Sequence, residues 1–314
     1  MAILITGATG FLGRHLARHM VEAGETDLVL MDSVLNRAAI ADIAHEVRLV
    51  LGDVREMTAI MDAVQKHRFE GIIHLAGVLG TGDIPNPLPS ININLMGTVN
   101  IFEVARLSGI KRVVYMSSNA VYPVRHTLGG PRFDEDDPPA PDSTYGIYGA
   151  CKLFNEHAAD YYMQTYGLDP IGLRPIAVFG EGRGQRVSAA GDHFMVAPEL
   201  AYLGKPVTLP PAEQVCDWMY VRDAAEVFMR AYRVEDPAHR VLNVAGECRE
   251  SGEINQHLRV LFPRAPIKVS NEPLLMPALV KTERLRETLD FTPRYTVEEG
   301  IERYIEDVKR RENA

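Results

Sequence analysis

Three residues with the side chains needed to remove a proton from an alcohol lie in the middle of the chain. Tyr148 and Lys152 are four residues apart, a spacing that places both on one face of a helix. A phenol acts as general base for an alcohol when its pKa falls toward neutrality, and an adjacent ammonium group favours the phenolate. Ser118 follows a predicted strand, where its hydroxyl can orient a substrate oxygen. The pattern predicts proton abstraction from a hydroxyl, although a core tyrosine beside a solvated lysine would have the same spacing.

A glycine-rich loop near the start of the sequence predicts a site for a dinucleotide. Gly7, Gly10 and Gly13 recur every three residues between an apolar run and an amphipathic segment, so backbone N–H groups can approach a diphosphate at a helix N-terminus. Asp32 comes 19 residues after the last glycine, where a carboxylate accepts hydrogen bonds from a ribose diol and repels a 2′-phosphate. These residues favour NAD over NADP, and the nearby Arg37 softens that preference without reversing it. An ordinary strand–helix turn and an ordinary turn aspartate are the alternatives.

Short apolar runs alternate with longer amphipathic segments over the first 175 residues. Continuous apolar strands separated by helices are typical of parallel strands covered on both faces. The pattern predicts an α/β fold with a doubly wound parallel sheet (Rossmann), which binds ligands beyond the carboxyl ends of its strands. The predicted strands are Ala2–Thr6, Leu28–Met31, Val47–Val50, Gly71–Leu75, Arg112–Met116, Ile171–Arg174 and Val241–Val244, and the clearest helices are Gly13–Glu22, Gly97–Ser108 and Tyr148–Tyr166.

The pattern becomes irregular after Pro175, where prolines and glycines interrupt it. We interpret this change as a smaller substrate-binding lobe that is discontinuous in sequence. The predicted division assigns residues 1–174 and 221–262 to an NAD-binding domain, and residues 175–220 and 263–314 to the lobe.

The composition is that of an ordinary globular protein. The chain has 314 residues, 46% of them apolar, and its 33 basic and 42 acidic side chains give a net charge of −9. Negative charge argues against binding along a nucleic-acid backbone. No apolar run approaches the roughly 18 residues of a membrane span, so none is expected. The first residues lack the basic region and the cleavage site of a signal peptide, which favours a cytoplasmic location.

Neither a disulfide framework nor a metal site is expected. Cys151, Cys216 and Cys248 are far apart and odd in number, which is typical of a reducing compartment. Cys151 is expected to be a small buried residue rather than a reactive thiolate. His15 and His19 have a spacing that zinc enzymes use, but no glutamate follows His15, and packing of the helix on the sheet explains both residues better.

Further segments match the motifs of one enzyme family in sequence order. The chain resembles the extended short-chain dehydrogenases/reductases, and in particular the NAD-dependent epimerase/dehydratase family, over nearly its whole length. Besides the glycine loop, Asp32 and the Tyr148–Lys152 pair, the matching segments are Asp53-Val54, His74-Leu75-Ala76-Gly77, Asn94-Leu95-Met96-Gly97-Thr98, Tyr115 to Tyr122, Asp217 to Asp223 and Pro293 to Gly300.

The resemblance implies a site, a cofactor and an assembly. It implies catalytic roles for Ser118, Tyr148 and Lys152, and a homodimer through the helices 97–108 and 148–166. The implied cofactor is NAD, and no metal is implied. The implied NAD contacts are Gly7, Thr9, Gly10, Phe11, Leu12, Gly13, Asp32, Asp53, Val54, Leu75, Ala76, Gly77, Asn94, Ser117, Tyr148, Lys152 and Pro175. The substrate contacts are Leu79, Ser118, Asn119, Tyr148, Ala177, Arg183 and His193.

The chain departs from the family pattern in three motifs. Asn119-Ala120 stands where the family's dehydratases have an Asp-Glu pair, so dehydration is not expected. Ala177 replaces an asparagine, and Cys216 an arginine, that many nucleotide-sugar members place near the substrate. The loss of two polar contacts favours a substrate other than a standard nucleotide sugar. Replacement charge is available from Arg183, Arg186, His193 or Arg222.

These observations predict an NAD-dependent oxidoreductase acting on a hydroxyl carbon of a sugar-like, small polyhydroxy or hydroxy-acid substrate. One alternative is a nucleotide-sugar 4-epimerase that retains NAD and works through a transient keto intermediate. A further alternative is a non-catalytic, NAD-binding redox sensor. Dehydrogenase, epimerase and reductase share the same first step, and the sequence does not separate them.

Overall fold

The structure, a computed structural model, describes residues 2–79, 86–125, 127–139, 146–183, 194–276 and 278–312. Its strands are β1 (Ala2–Thr6), β2 (Leu28–Asp32), β3 (Arg48–Leu51), β4 (Phe69–His74), β5 (Arg112–Met116), β6 (Arg132–Phe133), β7 (Asp169–Pro175), β8 (Val178–Phe179), β9 (Val207–Leu209), β10 (Val215–Tyr220), β11 (Val241–Val244), β12 (Glu247–Glu250), β13 (Ile267–Val269) and β14 (Leu279–Val280). Its α-helices include α1 (Phe11–Glu22), α2 (Met57–His67), α3 (Gly97–Ser108), α4 (Gly146–Tyr166), α5 (Ala197–Tyr202), α6 (Val221–Arg233), α7 (Ser251–Leu261), α8 (Glu283–Leu289) and α9 (Val297–Glu312).

The central sheet has seven strands in the order β11-β7-β5-β4-β1-β2-β3. All its neighbouring strands pair in parallel. The chain reverses its direction of winding between β1 and β4, so the loops after these strands part and leave a crevice at the carboxyl edge. The doubly wound parallel sheet predicted from the sequence is confirmed. Three of the predicted strands have the observed bounds, and the other four differ by one or two residues at an end.

Two apolar cores cover the two faces of this sheet. On one face α1 packs beside α6, and Leu16, Ala17 and Met20 are fully buried. On the other face α2, α3 and α4 pack together, and Ile101 and Phe102 are fully buried. Because helices cover both faces, the strands are apolar on both sides, which is the pattern that the sequence displays.

The short strands outside the central sheet were not predicted. β10 pairs with β8 in parallel and with β12 antiparallel, β9 pairs with β13, and β6 pairs with β14. Five of them, β6, β8, β9, β13 and β14, have two or three residues, and strands of that length carry too little periodicity to be recognised. The predicted division of the chain into two domains stays a prediction, and β12, which it assigns to the NAD-binding domain, pairs with β10 of the lobe.

Buried polar contacts connect the carboxyl ends of β1 and β4 to each other and to α3. Thr6 lies opposite His74 in the register, and its Oγ1 is 2.7 Å from His74 Nδ1. The other ring nitrogen lies 3.0 Å from Thr98 Oγ1. Burial lowers the pKa of His74 to about 3, so this ring is neutral. Its two contacts connect α3 to the ends of β1 and β4.

Candidate active site

The loop after β1 fits the diphosphate of a dinucleotide. Gly7 has a φ of +64°, and a Cβ there would lie 2.7 Å from the backbone of Ala76. A Cβ at Gly13 would lie 2.3 Å from the carbonyl oxygen of Gly7, so α1 packs too closely on the loop for a side chain. The N-cap of α1 is Gly10, which offers no side chain to the first N–H groups of the helix. These N–H groups, from Phe11 onward, are therefore available to an anion.

Asp32 ends β2 beside this loop, and Thr9 holds its carboxylate. The backbone N–H of Thr9 lies 3.1 Å from Asp32 Oδ2, and the Thr9 hydroxyl lies 2.9 Å from the same oxygen. Among the described residues Oδ1 of Asp32 has no hydrogen bond, so it can accept one from a ribose hydroxyl. The Thr9 hydroxyl thus orients the predicted ribose acceptor, and the NAD contact predicted for Thr9 itself stays a prediction.

Asp53 and Val54 follow β3, at the outer side of the same edge. Asp53 accepts hydrogen bonds from the Arg55 side chain at 2.6 and 2.9 Å and from the Arg55 backbone N–H at 2.9 Å. The Arg55 guanidinium lowers the pKa of the Asp53 carboxyl, which is thus fixed and ionised. Val54 is buried. Contact of these two residues with an adenine, which the family resemblance implies, stays a prediction.

Two exposed apolar side chains near Asp32 escaped the sequence analysis. Leu51 is 69% exposed and lies opposite Asp32 in the register of β2 and β3. Val34, two residues beyond Asp32, is 76% exposed. Apolar side chains at strand ends offer flat surface to an aromatic base, and their sequence signal was their position directly after predicted strands.

The segment after β4 is fastened by Asn94. The side-chain Oδ1 of Asn94 accepts a hydrogen bond from the backbone N–H of Val78, and its Nδ2 donates to the Val78 carbonyl and to Ser90 Oγ, each at 2.9 Å. Both amide hydrogens are thereby used. The Asn94 side chain thus supports the segment Leu75–Gly77, which continues from β4 toward the catalytic residues, and its predicted contact with NAD stays a prediction.

Ser118, Tyr148 and Lys152 come together at the end of β5 and the start of α4. The side chains of Ser118 and Tyr148 share a hydrogen bond, and the Ser118 hydroxyl accepts another from the backbone N–H of Ala120 at 3.1 Å. The ammonium of Lys152 donates to the Met116 carbonyl at 2.7 Å and lies 5.6 Å from the centre of the Tyr148 ring. Tyr148 is 6% exposed and Lys152 1%, so water is largely excluded.

Burial dominates the protonation of this group. It raises the pKa of Tyr148, against the hydrogen bond from Ser118 and the positive charge of Arg183, which lower it. It lowers the pKa of Lys152 to about 8. The sequence analysis expected Lys152 to favour the phenolate, whereas the cation with a resolved effect on Tyr148 is Arg183. Deprotonation of Tyr148 near neutral pH therefore needs further positive charge beside the ring.

A buried ion pair lies behind the catalytic residues and was missed by the sequence analysis. Arg174, on β7, donates to both carboxylate oxygens of Glu156, on α4, at 2.6 and 2.8 Å. The Ser117 hydroxyl donates to the same carboxylate at 2.5 Å, and its predicted contact with NAD stays a prediction. Glu156 follows Lys152 by four residues on the same helix face, and that spacing was the available signal.

The predicted substrate contacts have different surroundings. Asn119 and Ala177 are each 6% exposed, and Leu79 is 52% exposed. The Arg183 guanidinium lies 5.4 Å from the centre of the Phe11 ring, at the start of α1. Pro175, a predicted NAD contact, is buried at the end of β7. His193 and Arg186 lie outside the described residues.

Ala177 and Cys216 stand where many nucleotide-sugar members of the family have an asparagine and an arginine, and neither places a charge at the site. Cys216 is fully buried, with its Sγ 3.2 Å from Ser251 Oγ and 3.7 Å from the carbonyl of Gln214. Arg222, a candidate for replacement charge, donates to both carboxylate oxygens of Asp307 at 3.1 Å. Of the described candidates for replacement charge, Arg183 is the one whose charge acts on Tyr148.

Comparison with known proteins identifies the family. The model of the NAD dependent epimerase/dehydratase family matches residues 3–245. The chain belongs to this family. An uncharacterized protein of Methanocaldococcus jannaschii is 29% identical over 328 residues, which cover 96% of this chain and 94% of that protein. UDP-glucose 4-epimerase 2 of Arabidopsis thaliana is 27% identical over 261 residues, which cover 75% of this chain and 72% of that protein.

A solved structure supports the same fold. The crystal structure of the UDP-glucose 4-epimerase of Thermus thermophilus in complex with NAD superposes with a TM-score of 0.82 at 24% identity, over 98% of this chain and 99% of that one. Membership of the NAD dependent epimerase/dehydratase family confirms the predicted family, the Rossmann fold, the enzyme class and NAD as cofactor.

The cysteines, His15 and the lengths of the helices were also subjects of predictions from the sequence. Cys151, Cys216 and Cys248 are free thiols, and burial raises the pKa of Cys151, as expected for a packed rather than a reactive residue. His15 contacts the carbonyl of Glu181 at 2.9 Å. Across the described ranges, no helix has the length and apolar character needed to cross a membrane.

Proposed function

We propose that the protein is an NAD-dependent oxidoreductase that oxidises, or in reverse reduces, a hydroxyl carbon of a sugar-like, small polyhydroxy or hydroxy-acid substrate. The observation that carries this proposal is the assembly of Ser118, Tyr148 and Lys152 in a buried group at the carboxyl edge of the sheet. A redox sensor without catalytic activity needs none of these three side chains.

The residues of the site divide the reaction between them. Ser118 donates a hydrogen bond to the substrate hydroxyl oxygen, and Tyr148, as phenolate, accepts the proton of that hydroxyl. Lys152 places a positive charge beside the Tyr148 ring. Bound NAD would supply a hydride acceptor at C4 of its nicotinamide ring and a positive charge that favours the phenolate. The loop of Gly7, Gly10 and Gly13 and the carboxylate of Asp32 would hold it. The substrate thereby loses one proton to Tyr148 and two electrons with the hydride, and becomes a carbonyl compound.

Loss of polar contacts supports a substrate without a nucleotide. Ala177 brings a methyl group where many nucleotide-sugar members have an amide, and the thiol of Cys216 is bound to Ser251 and Gln214 in the core. Each absent polar contact is worth about 1–3 kcal/mol when the acceptor is charged. A UDP-sugar 4-epimerase that retains NAD is the second candidate, because relatives such as the Arabidopsis enzyme bear that name.

A panel assay separates the two candidates. Purified protein and NAD are followed at the NADH absorbance with free sugars, uronic acids, aldonates and hydroxy-amino acids, and UDP-sugars are checked for isomerisation. Net NADH with a small substrate supports the proposal, whereas isomerisation of a UDP-sugar without net NADH supports the second candidate. Tyr148→Phe should lower kcat by about 100-fold or more. The matched control is Tyr161→Phe, on the same helix at 57% exposure. Equal turnover of both variants would exclude Tyr148 as the base.

We also propose that two copies associate through α3 and α4. Ile147, Phe154 and Tyr161 are 45%, 48% and 57% exposed, and their spacing of seven residues places them along one side of α4. Leu107, on the neighbouring α3, is 51% exposed. An apolar stripe of this kind is typical of a surface that a partner helix covers. The three free thiols support a cytoplasmic location.

A further inference from the structure

Asn119 is a buried residue whose amide donor is unused. It is 6% exposed, and its Nδ2 forms no hydrogen bond with any described residue. A buried donor without an acceptor costs free energy, so nearly all such groups in folded proteins are paired. An exception beside a catalytic residue indicates that a ligand supplies the acceptor.

The backbone around Asn119 is held in place by its neighbours. Ser118 Oγ accepts a hydrogen bond from the N–H of Ala120 at 3.1 Å, and the Asn119 carbonyl accepts one from the N–H of Tyr122 at 3.0 Å. Adjacent Cα atoms are about 3.8 Å apart. The backbone that carries the Asn119 amide is therefore fixed directly beside the residue that holds the substrate oxygen.

Arg183 brings a positive charge to the same region. Its guanidinium lies 5.4 Å from the ring centre of Phe11 and is close enough to Tyr148 for its charge to act on the phenol. The segment that carries it is anchored through Glu181, which pairs with Arg14 at 2.6 Å and with Arg311 at 3.1 Å. The segment is thus fastened to both α1 and α9, and this limits where the guanidinium can lie.

We propose that Asn119 and Arg183 select substrates that carry a carboxylate one or two carbons away from the reacting carbinol carbon. The inference rests on the proposed oxidoreductase function and narrows its substrate class. The Asn119 amide donates to a carboxylate oxygen, and Arg183 balances the charge. A carboxylate accepts hydrogen bonds without needing to donate any, and its planar shape suits a guanidinium. Neither residue takes part in proton or hydride transfer, so both are specificity-determining residues.

Matched pairs of acid and neutral substrates test the proposal. The pairs are D-galacturonate and D-galactose, D-gluconate and D-glucitol, and L-threonine and L-threoninol. In at least one pair we expect kcat/KM for the acid to exceed that for the neutral compound. Asn119→Ala and Arg183→Gln should each reduce that preference by roughly 10- to 100-fold, which is the range for one hydrogen bond to a charged group. Asn119→Asp, which exchanges a donor for a negative charge, should reduce it most.

A stability control separates selection from folding. Asn255 is also 6% exposed, but its Nδ2 donates to the Pro210 carbonyl at 3.0 Å. Asn255→Ala should lower the Tm and leave the acid preference unchanged. Asn119→Ala should leave the Tm unchanged or raise it, because it removes an unpartnered buried donor. A Tm loss for Asn119→Ala equal to that of Asn255→Ala, with an unchanged preference, would assign Asn119 a structural role and overturn the proposal.

A binding experiment distinguishes failure of the inference from failure of the proposed function. With saturating NADH, calorimetry compares the six compounds for wild type, Asn119→Ala and Arg183→Gln. If an acid binds more tightly than its neutral partner and the variants abolish the difference, the selection stands even where NADH is not turned over. If no acid binds or reacts better than its neutral partner, the proposal is overturned although the oxidoreductase function can stand.

Discussion

At the scale of single residues, Lys152 meets two opposing demands. A positive charge beside Tyr148 favours the phenolate, yet the site buries Lys152 and lowers its pKa to about 8. Its ammonium is held by the Met116 carbonyl at 2.7 Å, while the charge of Glu156 raises the pKa only in part. Burial of the Lys152 cation therefore lowers the stability of the fold, at a position where catalysis uses the positive charge.

Lys152→Met should change how stability depends on pH. The pKa of Lys152 is about 8 when folded, against a value of 10.5 for a free lysine side chain. The unfolded state therefore binds more protons between these values, and the wild type gains stability as pH rises through this window. The Met variant lacks this gain. Urea unfolding at pH 7.5 and pH 10 should show the wild type gaining about 2 kcal/mol relative to the variant.

The control for this measurement is Lys66→Met, since Lys66 is exposed on α2. The Lys66 variant should follow the wild type across the pH range. Parallel curves for the wild type and Lys152→Met would show that the lysine titrates near its ordinary value.

Asp32 offers a second prediction at this scale. Asp32→Ala should weaken NAD binding by about 10-fold, since it removes an acceptor for the ribose diol, and it should weaken NADP binding less because a repulsive charge is also lost. Quenching of protein fluorescence by each dinucleotide measures both dissociation constants. Equal losses for NAD and NADP would remove Asp32 from the ribose site.

At the scale of secondary-structure elements, the ion pair of Glu156 and Arg174 joins α4 to β7. Ser117, at the end of β5, adds a hydrogen bond to the same carboxylate, and the Tyr122 hydroxyl accepts one from Arg174 at 2.5 Å. Both charged residues are 6% exposed. The helix that carries Tyr148 and Lys152 is thus held to two central strands by buried polar contacts.

Removing one partner of this pair should cost much more than removing both. Arg174→Met leaves a buried carboxylate without its cation and should lower the free energy of unfolding by about 3–5 kcal/mol. Adding Glu156→Leu should restore a large part of that loss, because an apolar pair no longer has to be desolvated. Chemical denaturation of the wild type, both single variants and the double variant measures the coupling. Additive losses would mean that the two charges do not act as a pair.

At the scale of the whole molecule, the proposed association of two copies depends on the apolar stripe on α4. Phe154→Glu puts a charge in the middle of the proposed contact and should shift the molecular mass in light scattering from that of a dimer to that of a monomer of 34.9 kDa. Val260→Glu, at 71% exposure on α7, should leave the dimer intact. A wild-type protein that is monomeric at micromolar concentration would rule out the proposed association.

The sequence by itself determined the parts of the protein that depend on neighbours a few residues away. The glycines of the β1–α1 loop, Asp32 at the end of β2, and Tyr148 with Lys152 on one helical turn were all recognised, because strand and helix periodicities act over such distances. The parallel sheet followed from the same alternation of apolar runs and helices. Family membership then confirmed the fold, the enzyme class and NAD.

Only the tertiary structure decided which partners the buried polar groups have. The side chains of Ser117 and Asn94 bind Glu156 and Val78, partners that the sequence did not indicate. Arg174 and Glu156 are 18 residues apart, and nothing in their local sequence indicates that the chain brings them together. The unused donor of Asn119 is likewise visible only after every neighbouring acceptor has been placed. Hydrogen bonding of buried groups depends on the packing of the whole molecule, whereas helices, strands and turns are largely determined by short stretches of sequence.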